Sequence, residues 1–225
     1  MSADRRLGRE EISKGLALFD RERANIEAGQ AWAATHAKTD DEAARLCSEY
    51  PDWGTQVISL RIHPREQIAW RKAALDAAGR LKDRAAEGRH LGNLGNAYCS
   101  LGKYRRTIEY HEKSLAIARE IGDRQGEGHV LDTMGTAYYS LGDYRRAIEY
   151  YEKHLAIARE MGDRPGEALA LGNMSLALWR LDKKSEAISR AEASLKIHEE
   201  IEDPWAGKVR EGLEQWRKEC PPAGN

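Results

Sequence analysis

The sequence predicts an all-α fold, a right-handed α-solenoid of stacked antiparallel helix pairs, and three observations predict it. Residues 84–123 return with most positions kept as residues 124–163 and more loosely as residues 164–203. Self-similarity at a fixed period of about 40 residues marks a stack of supersecondary units. Within each copy the apolar residues keep a 3.6-residue period over two successive segments, so each copy reads helix, turn, helix. The helix formers Ala, Leu, Glu and Arg dominate, and one Phe stands among 225 residues, a composition that leans to all-α.

Residues 1–50 read as two or three divergent helices over Glu11–Phe19, Arg21–Ala37 and Asp41–Tyr50, with a break at Lys38, Thr39 and Asp40. Residues 51–83 form a degenerate repeat. Its first helix begins near Pro51, and its second starts at His63 and Pro64, with Ile68, Leu75 and Leu81 in the places of Ile148, Leu155 and Met161. In residues 84–123, Leu91, Leu94, Gly95, Tyr98 and Leu101 form one stripe, and after Gly102 a second runs through Tyr104, Ile108, His111, Leu115 and Ala118. The pairs Leu101-Gly102 and Leu141-Gly142 end the first helices by the glycine C-terminal rule. Gly122 and Gly162 close the second helices, and Asp123 and Asp163 can cap the next ones. Gly95 and Gly135 sit inside helices, where glycine costs about 1 kcal/mol against alanine, so close approach of the paired helix is expected there. After residues 164–203, Pro204 opens a capping helix over 204–219. Trp205, Val209, Leu213 and Trp216 form its apolar stripe, while Lys208, Arg210, Glu211 and Glu214 give the polar outer face that a terminal repeat needs. Residues 220–225, with Pro221 and Pro222, read as a tail.

Charge and motifs narrow the function classes. Thirty-six basic residues balance 37 acidic ones for a net charge of −1, which argues against a general nucleic-acid binder or an anionic-membrane binder. Cys47, Cys99 and Cys220 are odd in number and far apart, and no C-x-x-C pair implies a zinc ribbon or a disulfide framework. The polar start MSADRRLGREE has no apolar core of a signal peptide, and no run approaches a membrane span. A reduced, soluble, cytoplasmic chain is expected. No phosphate-binding G-x-x-x-x-G-K-[ST], G-x-S-x-G or G-x-G-x-x-G occurs. His111-Glu112 and His198-Glu199 start like a zinc-protease helix, but Leu115 and Glu202 stand where its second histidine belongs. No catalytic, cofactor-binding or metal-binding residue is therefore expected. The sequon Asn173-Met174-Ser175 falls within a helix and is read as chance. Glu109–Lys113 and Glu149–Lys153 are i,i+4 pairs of a solvated convex face.

The repeats resemble the tetratricopeptide family. Its small-Gly-Tyr signature stands as Leu94-Gly95-x-x-Tyr98 and Met134-Gly135-x-x-Tyr138, and its second helix as Ala147-Ile148-Glu149-Tyr150-Tyr151-Glu152-Lys153-x-Leu155. The 40-residue spacing, with its A-I-A-R-E-x-G-D-R ending, is similar to the longer variant of kinesin light chain and the Pins/LGN adaptors. The usual small residue before the leucine is here Ser114, His154 or Ser194, and the third copy has Ser175 for Gly and Leu178 for Tyr. Phe19-Asp20-Arg21-Glu22-Arg23-Ala24-Asn25-Ile26 with Trp32-Ala33 resembles the segment opening the C-terminal helical array of many STAND-class regulatory ATPases.

Of the forty paired positions in the first two copies, 26 match and 14 differ, nine of the differences falling in the first helix. At 100° per residue, Arg89, Asn93, Asn96 and Ser100 lie opposite the Leu91, Leu94 and Tyr98 stripe. Their counterparts are His129, Thr133, Thr136 and Ser140, then Leu169, Asn173, Leu176 and Arg180. The resemblance implies that this face lines a concave groove, flanked by Asp132, Tyr139 and Trp179. Asn side chains can both donate to and accept from an extended backbone, and Arg89 and Arg180 could hold a carboxylate. The expected function is a non-catalytic module binding a protein or peptide, with an acidic or mixed peptide favoured over a purely hydrophobic one. The alternative is the ligand-sensing or autoinhibitory region of a STAND-type signalling ATPase or transcriptional regulator.

Overall fold

Aspartate caps and left-handed exits set the helix boundaries in the computed structural model, which describes residues 3–52, 58 and 60–219. These residues hold ten helices and no strand, an all-α helical repeat fold. The helices are α1 Ala3–His36, α2 Asp41–Glu49, α3 Pro64–Leu81, α4 Arg84–Ser100, α5 Tyr104–Ile121, α6 Arg124–Ser140, α7 Tyr144–Met161, α8 Arg164–Arg180, α9 Lys184–Glu200 and α10 Ala206–Glu219. The chain forms two compact units, one ending at Ile117 and the other beginning at Ala118. Among the described residues no helix is long and apolar enough to cross a membrane.

In the first unit, α1 runs unbroken through Asp20 and Arg21, because no glycine or proline stands between Leu16 and Ile26 to interrupt it. The break falls at residues 37–40, where the Asp40 carboxylate accepts from the amides of Glu42 and Ala43 at 2.8 and 3.1 Å. The first helix expected for the degenerate repeat lies largely outside the described residues, as does the tail from 220. Pro64 opens α3, and the His63 ring accepts from the Arg65 amide. Ala33, Ala37, Ala44, Cys47 and Ala77 form one core cluster, and Phe19, Ile58 and Ile62 form another. Burial, with Asp76 nearby, pushes the Cys47 thiol up to about 11, so it is a packing group rather than a nucleophile.

The glycines inside helices mark close contacts. A Cβ on Gly95 would lie 2.7 Å from the His111 ring in the first unit, and one on Gly135 would lie 2.5 Å from the Tyr151 ring in the second. The third copy solves the same contact with Ser175 and Ala191 in those registers, both buried. The second unit's core gathers Ala147, Tyr151, Leu155, Leu171, Met174 and Ile197. Each large apolar side chain buried there contributes about 1.5–3 kcal/mol.

Exits and charges repeat with the same period. Gly162 leaves α7 at φ 68°, and Lys82 and Glu202 take the same left-handed turn at equivalent points. A non-glycine residue costs about 1–2 kcal/mol there, which the inner copies avoid. Glu127 accepts from Arg119 and Arg124, and Glu167 from Arg159 and Arg164. Burial pushes the Glu127 carboxyl up, but these two arginines outweigh it and hold it below the usual range. On the outer face Glu109 pairs with Arg106 at 2.7 Å, while Lys113 and Lys153 lie over the rings of Tyr110 and Tyr150.

Candidate functional site

The second unit holds a cleft of about 860 Å³ lined by α6, α8 and α10, with contributions from α7 and α9. That size lies within the range of small-molecule and side-chain pockets. The repeat register explains one side. The first helix of each copy buries Leu131 and Met134, or Leu171 and Met174, and therefore turns His129, Asp132, Leu169, Asn173 and Leu176 outward. The capping helix supplies the other side. Trp216 stacks on Trp179 with ring centroids 4.3 Å apart and an interplanar angle of 5°. Arg210 and Arg217 pair with Glu199 and Glu192, each at 2.6 Å, and Leu213 is buried.

The wall is apolar and open. Met161, Leu169, Leu176 and Trp205 are 46–58% exposed, and all four line this cleft. They are four of ten large apolar side chains left exposed among the described residues. The floor is polar. The Asp132 carboxylate accepts from the Asn173 amide at 3.0 Å, and the same oxygen lies 3.6 Å from Nδ1 of the buried His154 ring. A second buried histidine, His198, places Nδ1 3.2 Å from Asp203 at another edge of the cleft. Neither Nδ1 makes a hydrogen bond.

Of the residues expected to line a groove, His129, Asp132, Asn173 and Leu176 meet at this cleft. Thr133 donates back to the His129 carbonyl, and the Thr136 hydroxyl lies 3.3 Å from the Tyr151 hydroxyl. Arg180 Nε donates to the Tyr139 hydroxyl at 3.2 Å, and Trp179 lies against Trp216. Arg89, Asn93 and Asn96 belong to the first unit. Arg89 Nε lies 3.3 Å from Asp52, and the two asparagines are half-buried on α4. Nearby, His90 is buried with Nε2 3.0 Å from the Ser48 hydroxyl. Burial holds its pKa below the usual value against the opposing pull of Asp52.

Sequence reasoning missed Met161, His154, His198 and the cleft-facing role of Trp205. The one signal for His154 was its replacement of a small residue. Among the described residues no group of three or more His, Cys, Asp or Glu side chains converges as a metal site would. The arrangement offers an apolar wall and a few fixed hydrogen-bonding groups, which is the chemistry of recognition.

Residues 86–160 match the tetratricopeptide repeat family. Tetratricopeptide repeat protein 29 of Trypanosoma brucei brucei is 29% identical over 108 residues, which is 46% of this chain and 20% of that protein. The match thus spans a fifth of that relative's length. A STAND protein with a tetratricopeptide repeat sensor from Pyrococcus horikoshii superposes with a TM-score of 0.66 at 17% identity, over 97% of this chain and 38% of that one. The nearly identical TPR-like repeats of a putative kinesin light chain from Podosopora anserina give a TM-score of 0.56 at 14% identity, over 81% and 96% of the two chains. These likenesses show the fold.

Proposed function

We propose that this tetratricopeptide-repeat chain is a non-catalytic interaction module that binds a peptide or protein segment in the cleft of its second unit. One observation carries the reading: Met161, Leu169, Leu176 and Trp205, all exposed, gather in a single concavity with polar groups at its floor. Apolar surface collected in a concave site marks interaction, whereas scattered exposed leucines do not. A partner side chain entering the cleft gains about 25 cal/mol per Å² of apolar area removed from water, and the Asn173 and Asp132 groups fix its orientation. A cytoplasmic, adaptor-like setting belongs to the same reading. The alternative, the sensing region of a STAND-type regulator, is favoured by the resemblance at Phe19 to Ala33 and uses the same cleft.

The test starts from a 12-residue peptide display library panned against the full chain. Selected peptides are then measured on the variant Leu169→Ser with Leu176→Ser, which alters only exposed side chains. Affinity is expected to fall at least tenfold with unchanged helical circular dichroism, while Asn93→Ala with Asn96→Ala in the first unit leaves it within twofold. Equal affinity for the wild-type and Leu169/Leu176 proteins would place binding elsewhere.

A further inference from the structure

The three copies can be compared at one contact between their paired helices. In the first and third copies the contact is glycine against serine. Ser114 donates to the Gly88 carbonyl at 2.8 Å and Ser194 to the Ala168 carbonyl at 2.7 Å, and a Cβ on Gly92 or Gly172 would lie 3.2 Å from the serine hydroxyl. In the middle copy both partners differ together: Asp132 faces His154. His154 does not take over the serine's role, since its buried Nδ1 makes no hydrogen bond. The exchange therefore removes a satisfied packing contact and adds a carboxylate and an imidazole, both lining the cleft.

Asp132 is 19% exposed, and its partners are the neutral Asn173 amide and a histidine that carries charge only when protonated. A carboxylate this far out of water is ordinarily matched by a cation. Of the other charged groups around the cleft, Arg124 bonds Glu127 and Glu160, Lys208 lies over the Trp205 ring, Asp163 caps α8, and Asp203 accepts from the Trp205 amide beside the His198 ring. Arg89 and Arg180, the basis for expecting an acidic partner, bond Asp52 and Tyr139 and do not line this cleft.

We infer that Asp132, flanked by His154 and Asn173, is a cation-reading subsite, and that the segment the cleft takes carries a lysine or arginine beside a large apolar side chain. The apolar side chain lies against Leu169, Leu176 and Trp205, and the cation pairs with the Asp132 carboxylate. This inference rests on the proposed function of the cleft, and the following experiment separates the two.

Three fluorescent hexapeptide sets, each with a leucine or tryptophan flanked by arginine, by glutamine or by glutamate, are titrated against the full chain by anisotropy at pH 7.5. The arginine set is expected to bind at least tenfold more tightly than the glutamine set, as one charge-assisted hydrogen bond would give, and the glutamate set most weakly. Asp132→Asn should abolish the preference. The double variant Asp132→Gly with His154→Ser should do the same, and it guards against misfolding because it copies the contact of the two flanking repeats. A glutamine or glutamate set that binds as well as the arginine set, with Leu176→Ser still weakening all three, overturns the cation subsite and leaves the cleft reading standing. Binding insensitive to Leu169→Ser and Leu176→Ser overturns both.

Discussion

At Gly135 a methyl group would meet the Tyr151 ring at 2.5 Å, well inside van der Waals contact. Alanine gains about 1 kcal/mol of helix propensity there, whereas forcing an extra carbon into a packed contact costs about 1–3 kcal/mol. Against a buried aromatic ring the clash wins, and Gly135→Ala is expected to destabilise the protein by about 1–2 kcal/mol. The third copy supplies the complementary change, Ser175 with Ala191. Gly135→Ser combined with Tyr151→Ala should therefore be less damaging than the sum of its parts, with a coupling above about 1 kcal/mol in a denaturant double-mutant cycle. Additivity within about 0.5 kcal/mol would show that the ring and the glycine do not constrain each other. The need for a small residue at Gly95 and Gly135 was legible in the sequence, because glycine inside a helix demands a reason. The partner was not: it stands sixteen residues away, and only the helix pairing reveals that distance as a contact.

Helices show the same division between what pattern reveals and what packing decides. The turns after Leu101 and Leu141, the caps at Asp123 and Asp163 and the outward face of α4, α6 and α8 all follow from short-range chemistry and a 3.6-residue period. The capping helix was legible only in part. Leu213 and Trp216 pack as the stripe predicts, but Trp205 precedes α10, so the helical period does not govern it, and it stands exposed at the mouth of the cleft. Likewise the exchange of Gly92 and Ser114 for Asp132 and His154 appears in sequence as two unrelated differences, one per helix. Because α10 is held to α8 by the Trp179–Trp216 stack, Trp216→Ala is expected to lower stability by about 1–2 kcal/mol, more than the stack alone. It should also weaken any cleft-binding peptide at least fivefold, since the variant loosens one wall. Thermal unfolding and anisotropy on the same samples check both, and an unchanged affinity would remove α10 from the site.

At the scale of the whole molecule, the repeats make the architecture readable and the function harder to read. Matching residues, such as Leu91 with Leu131 and Glu87 with Glu127, hold the stack. Differing residues divide between contacts within the stack, such as His111 against Tyr151, and groups that face the cleft, such as Asp132. Each unit holds core clusters of its own residues, and the cleft is lined by residues of the second. Recognition is therefore expected to be local to residues 124–216. Amide hydrogen exchange on the full chain, with and without a saturating display-selected peptide, tests this most directly. Slowed exchange is expected in α6, α8 and α10, with no change in α3 and α4. Protection confined to α7 and α9, or to the first unit, would contradict it.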